Sequence, residues 1–364
     1  MLFQIHPVAP ASRLYSVAKK SILFTKPHMM NRITCWSCCF VLLACSSSDK
    51  GLSHENSKSG DNRLELIIDT DANNELDDQH ALAYLFLDEG LFDVLAVTVN
   101  ATRNGGGIDH HLEEARRIMD LCAVGEEVPL LRGAHASFDD IVPNIHEEEF
   151  DGHPAVNFII EAARKERNGN LILLAIGKLT NVALALAKAP DIRENIRIVW
   201  LGTNFPQAGE YNHLNDLAAT EYMLTQDVLQ EWVVVRYGDS TGTDAVRASP
   251  EEIYRIMPGA GPLIQEAVTG RHGGQFGTFG DYSIDLFKHA ELYGDPPSRA
   301  LFDMAAVAIL KNPAWATRTE IPVPEPSGTG WNLTSNQNRR VFIWENFNAE
   351  AIMNDFFQVM RSSR

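Results

Sequence analysis

The chain has 364 residues, 45% hydrophobic and 22% charged, a balance that buries a large core and excludes a disordered chain. Its 31 basic and 48 acidic residues leave a net charge of −17, which excludes a nucleic-acid-binding surface of clustered Lys and Arg and suits a metal site built from carboxylates. Four of the five cysteines, Cys35, Cys38, Cys39 and Cys45, crowd one N-terminal stretch and leave Cys122 alone in the body, so no disulfide framework is available. From Leu64 onward, β-rich runs alternate with helical patterns: Leu64–Ile68 then 77–88, 94–99 then 108–122, 171–176 then 179–188, and 196–201 then 216–225. This alternation predicts an α/β fold with a mostly parallel central sheet, helices on both faces, in the manner of a Rossmann-like open sheet. Segment 238–300 reads as helices and loops beside the sheet; a helix over 298–311, a strand over 340–344 and a helix over 349–360 close a domain spanning 64–364.

The N-terminal stretch has a different character. Residues 29–44 have a small basic start and an apolar run too short to span a bilayer, the pattern of a signal peptide. Leu42-Leu43-Ala44-Cys45, followed by three serines, resembles the bacterial lipobox, which implies a lipid on Cys45, membrane attachment through that lipid and a place in a bacterial cell envelope. Residues 45–63 have the composition of a solvated tether. Residues 1–28, basic and without an acid, suggest no fold and read as an extension from an early start codon.

Ligands of open α/β sheets gather at the carboxyl ends of the strands, and the residues there are strongly polar. Asp69, Asp71, Asn73, Glu75, Asp77 and Asp78 follow the first strand, Asn100 and Asn104 the second, Ile176-Gly177 a later one and Asn204 the next. Five carboxylates within ten residues repel one another unless a cation or protons intervene, so the loop suggests a Ca²⁺ site. An EF-hand loop fits poorly: its required Gly and Glu are here Asn74 and His80, and a strand rather than a helix precedes it.

A strand, Asp-Thr-Asp and then paired Asp before an apolar helix is similar to the signature of the inosine-uridine-preferring nucleoside hydrolases. Ile176-Gly-Lys-Leu-Thr-Asn181 resembles that family's Gly-Pro-Leu-Thr-Asn block, Gly209-Glu210-Tyr211-Asn212 its Ala-Glu-Phe-Asn block, and Phe302-Asp303-Met its His-Asp-Pro, all in the right order. The resemblance implies that Asp71, Asp78, the Ile176 carbonyl and Asp303 hold Ca²⁺. It also implies that Asp71 is the general base and that Asp77, Asn104, Asn204, Glu210 and Asn212 bind the sugar. The implied reaction is hydrolysis of the N-glycosidic bond of a ribonucleoside or related N-glycoside, with a small-molecule substrate and, as family members commonly are, a homo-oligomeric enzyme.

The match departs in two places. The loop between Asp71 and Asp78 is two residues longer than is usual in the family, with Glu75 expected to face solvent in preference to adding a ligand, and Phe302 replaces a His that helps protonate the departing base in some members. A Phe donates no proton. The expected substitutes are His272 or His289 from the inserted segment, with Trp331 a candidate for stacking on a purine. The loss of that His also keeps open a sugar- or nucleoside-binding protein of the same fold that does not cleave its ligand. The adjacent His110 and His111 point in different directions on a helix and suggest no zinc pair, segment 146–153 reads as a mobile acidic loop, and Gly105-Gly106-Gly107 is a weak phosphate-loop signal.

Overall fold

The computed structural model describes residues 63–88, 90–333 and 338–363. The signal segment, Cys45 and most of the tether lie outside the described residues. Six strands come first: β1 (Leu64–Thr70), β2 (Phe92–Val99), β3 (Leu130–Arg132), β4 (Leu171–Ala175), β5 (Ile196–Thr203) and β6 (Leu229–Val234). Short strands follow beside the sheet, β7 (Arg247–Ala248), β8 (Val268–Thr269), β9 (Gln275–Phe276) and β10 (Arg299–Ala300). Then come β11 (Thr317–Pro322), the hairpin of β12 (Glu325–Ser327) and β13 (Gly330–Asn332), and β14 (Arg340–Glu345). Eight of them form one sheet in the order β11-β14-β6-β5-β4-β1-β2-β3, parallel throughout except that β11 runs antiparallel to β14 at the edge.

Both faces of this sheet are covered, which is why its central strands are continuously apolar rather than alternating. Leu66, Ile68, Val97, Val99, Ile172 and Leu174 point into one core, with α1 (Asp77–Leu87), α2 (Ile108–Leu121) and the helices Met304–Lys311 and Ala349–Ser362. Ile67, Ala96, Leu171 and Leu173 point into the other, against the helices His153–Ala163, Thr180–Lys188 and Leu217–Thr225. Successive residues of a strand face opposite sides, so one apolar run serves both layers.

Three segments go beyond the sequence reading. The strand β6 escapes the apolar reading because Gln230 and Glu231 interrupt it; both are buried, and Glu231 is held by Arg197 (2.9 Å), Arg318 (3.0 Å) and the Trp344 indole N–H (2.6 Å). Residues 146–152 form turns and bends, as the loop reading expected, and His153 opens a helix with Pro154 in its first turn, where a missing N–H costs nothing. The helix expected from Ser298 starts only at Met304, because Arg299–Ala300 pairs as a strand with Arg247–Ala248 and Asp303 stands at the helix N-cap position. No helix among the described residues is long and apolar enough to cross a membrane.

Candidate active site

β1 pairs with β2 on one side and β4 on the other, so the chain leaves β1 in one direction and returns to its far side later. A crevice opens where the strand order diverges in this way, outside the carboxyl ends of β1 and β4. Asp71 follows β1 there and Ile176 follows β4. Gly177 is needed beside them: a Cβ at this position would lie 2.8 Å from the Asn100 amide and 3.1 Å from Asp71 Oδ1.

A cavity of about 410 Å³ occupies this crevice, and Asp71, Asp77, Asp78, Ile176, Glu210, Asn212 and Asp303 all line it. The structure therefore brings together seven of the nine residues that the sequence assigned to metal, catalysis or sugar. Asp77 and Asp78 enter on the first turn of α1, Asn212 on the short helix Tyr211–Asn215 with Glu210 at its N-cap, and Asp303 from the N-cap position of the helix Met304–Lys311. One ligand atom from each of Asp77, Asp78 and Asp303 lies within 4.8 Å of the others.

Each carboxylate is partly fixed. Asp78 accepts a 2.5 Å hydrogen bond from Thr70, and Asp71 Oδ2 accepts from Thr102 (2.6 Å) and from the Asn74 amide. Asp71 Oδ1 and Asn212 Oδ1 are buried with no partner among the described residues. The Asn212 amide donates to the carbonyls of Ile176 and Leu201, 3.0 Å each, and Glu210 accepts from the Asn212 (3.0 Å) and His213 (2.8 Å) backbone N–H groups. Beneath them, Asp69 accepts from Thr98 (2.6 Å), Asn100 (2.9 Å) and Asn181 (2.7 Å), and a ring nitrogen of buried His111 lies 2.8 Å from the Asp71 carbonyl oxygen.

So many buried acids hold their protons more tightly. Burial pushes Asp77 and Glu210 up to about 7 and Asp69 up to about 6, with the charge of Asp71 adding to each. Asp78 and Asp303 are raised well above the usual carboxylate range by burial and then by the other carboxylates. An all-oxygen donor set with an orphaned carboxylate oxygen, and neighbours that are themselves negative, fits a hard divalent cation.

The other wall is aromatic. Phe302 lines the cavity and packs edge-on against Tyr237 (ring centroids 5.8 Å apart), with Tyr211 and Tyr293 nearby in the lining. Tyr237 follows strand β6 and carries no motif that marks it in the sequence.

Several expected residues stand elsewhere. Asn104 is exposed, and its backbone N–H points to the Tyr211 hydroxyl at 3.2 Å. The Asn204 side chain is spent on loop backbone, donating to Ala208 O (2.9 Å) and accepting from Tyr237 N–H (3.1 Å). Neither side chain lines the cavity. His272 and His289 do not reach it either, and Trp331 stacks on His213 (4.7 Å) and Trp232 (5.1 Å) instead. Glu75 is exposed, as expected, and at the cavity lining it also pairs with Arg299.

Comparison with known proteins agrees with this fold. The family model described as inosine-uridine preferring nucleoside hydrolase matches residues 66–354. An uncharacterized protein of Schizosaccharomyces pombe, C1683.06c, is 29% identical over 188 residues, 45% of this chain, and the match spans 59% of that relative's length. A plant nucleoside hydrolase, PpNRh1, superposes with a TM-score of 0.62 at 18% identity, covering 82% of this chain and 99% of its own. The purine-preferring ribonucleoside hydrolase of Gardnerella vaginalis does so at 0.59 and 19%, covering 81% and 98%. With the cavity at the β1–β4 crevice, the acidic cluster and a family match over most of its length, this chain belongs to the inosine-uridine preferring nucleoside hydrolase family.

Proposed function

We propose that the chain is a calcium-dependent hydrolase of the N-glycosidic bond of a ribonucleoside or related N-glycoside. The observation that carries this reading is the meeting, in one cavity, of a carboxylate floor with an aromatic wall: acids suit a polyhydroxyl sugar, and rings suit a flat base. Asp71, Asp78, Asp303 and the Ile176 carbonyl would hold the cation, with Asp77 close enough to join them. A bound Ca²⁺ supplies positive charge that offsets these acids and makes a water more acidic.

Asp71 then serves as general base. Thr102 and Asn74 fix its Oδ2 and leave Oδ1 unpartnered and free to take a proton from the attacking water. Glu210 and Asn212 orient the sugar hydroxyls, and the negative charge of Glu210 stabilises the oxocarbenium character that develops as the base departs. Phe302 holds the base by contact and offers it no proton.

That residue also favours a second reading, a protein that binds a nucleoside or sugar without cleaving it. Release of reducing sugar from a panel of purine and pyrimidine ribonucleosides, with calcium and with a chelator, separates the two. Calcium-dependent release supports the hydrolase, whereas calorimetric binding without release supports the binding protein. We also propose that Cys45 carries a lipid that holds the protein at the cell envelope; the support is the sequence Leu42-Leu43-Ala44-Cys45.

A further inference from the structure

The two histidines that the cavity does not use stand together on another surface. His272 sits at the tip of the hairpin between β8 and β9, where Gly273 and Gly274 both take positive φ (88° and 80°) to turn the chain. Asp285 and His289 lie one turn apart near the end of the helix Phe279–His289, at the i, i+4 spacing that places two side chains on one face. The imidazole rings of His272 and His289 face each other, with centroids 4.0 Å apart and planes 33° from parallel. Asp285 Oδ2 lies 3.4 Å from His272 Nδ1 and 3.8 Å from His289 Nδ1.

We propose that His272, Asp285 and His289 form a second metal site, selective for zinc or a similar transition ion, that clasps the β8–β9 hairpin to the helix Phe279–His289. One ligand atom of each residue already lies within 4.8 Å of the others. Two imidazoles and one carboxylate are a donor set of intermediate softness, which suits Zn²⁺, whereas Ca²⁺ and Mg²⁺ prefer oxygen alone. His289 Nδ1 is 2.8 Å from the Asp285 carbonyl oxygen; donating its proton there leaves the Nε2 lone pair for a metal, the support a ligating His ordinarily has. All three side chains are partly exposed, so an ion has access and solvent can complete the coordination. An Asp–His ion pair alone accounts less well for the cluster, because one carboxylate serves two stacked rings and protonating both would set like charges 4.0 Å apart. The molecule thus offers two chemically distinct cation sites, an all-oxygen cavity and a nitrogen-containing surface clasp.

The test is a calorimetric zinc titration of the untagged full chain in saturating Ca²⁺, which keeps the acidic cavity filled, repeated on His272→Ala, Asp285→Asn and His289→Ala. The wild type is expected to take up one zinc equivalent that each variant binds at least about tenfold more weakly. His272→Cys, which supplies a thiolate in place of the imidazole, should recover it. Zinc should raise the melting temperature of the wild type and not of the alanine variants, whose metal-free melting temperatures should match the wild type. Zinc uptake of equal stoichiometry and affinity in wild type and His272→Ala, including uptake by the N-terminal cysteines only, overturns the site, as does a wild type that binds no zinc.

Discussion

The Glu75 carboxylate pairs with the Arg299 guanidinium, fastening the lengthened loop after β1 to the segment that delivers Asp303 to the cavity. Arg299 is nearly buried, with a side chain 10% exposed, while Glu75 is half exposed. The pair thus couples the two chain segments that carry the acidic cluster. Glu75→Ala should free the loop and weaken calcium binding several-fold, yet cost about 1 kcal/mol or less of stability because the acid is half in water. Calcium calorimetry and chemical denaturation on the same variant check this; unchanged calcium affinity would show that the pair does not position the cluster.

A larger stability effect is expected one layer below. Asn181 donates to Asp69 (2.7 Å) and to the Val99 carbonyl (3.2 Å) and accepts from the Ala134 N–H (2.8 Å), all in the interior. Asn181→Ala leaves buried partners unsatisfied and should cost about 2–4 kcal/mol. Urea denaturation measures it, and a loss within about 0.5 kcal/mol, as for a surface substitution, would contradict the strut.

Stability without metal should fall as pH rises. Asp77, Glu210 and Asp69 have folded-state values raised to about 7, 7 and 6, so the folded chain keeps protons that the unfolded chain has released. Their contribution is complete below the ordinary carboxylate range and is lost as pH climbs through 6 and 7. His80 and His213 act oppositely, pushed down to about 4 by burial, and lose stability only as pH falls below the ordinary His range. A comparison above about pH 6.5 isolates the acids. In chelator, the melting temperature should be lower at pH 8.5 than at pH 6.5, and calcium should raise it more at pH 8.5. Equal melting temperatures with and without calcium at both values would mean that the acids are not a cation site.

The proposed lipid anchor lies on residues outside the described structure, and its test is cellular. Cys45→Ala should move the protein from the membrane to the soluble fraction of an envelope preparation. Unchanged membrane retention of the variant would remove the anchor.

How much of this was legible beforehand follows from what is local. The run Asp69–Asp78 placed a strand, a loop and a helix start in ten residues, so the acidic cluster of Asp71, Asp77 and Asp78 could be read directly, whereas Glu210, Asn212 and Asp303 came only from the resemblance of short ordered motifs to the family's. What depended on the path of the chain was not readable. Asn104 and Asn204 occur after strands as expected, yet one loop turns outward and the other consumes its amide on its own backbone. Strand β6 hid behind a buried Glu231 whose two Arg partners come from β5 and β11, and with it Tyr237 was lost. His272 and His289 were noticed as histidines, but the hairpin that turns one onto the other is tertiary and carries them away from the cavity.

In the proposed reaction Asp71 takes the proton from the water that attacks a nucleoside in this cavity. The rate of sugar release by the wild type and by Asp71→Asn, each saturated with calcium and shown by circular dichroism to be folded, tests that role. Calcium-dependent release by the wild type and a loss of at least about 10²-fold in the variant are expected, the scale of a removed general base. Equal rates in the two proteins would remove Asp71 as the base.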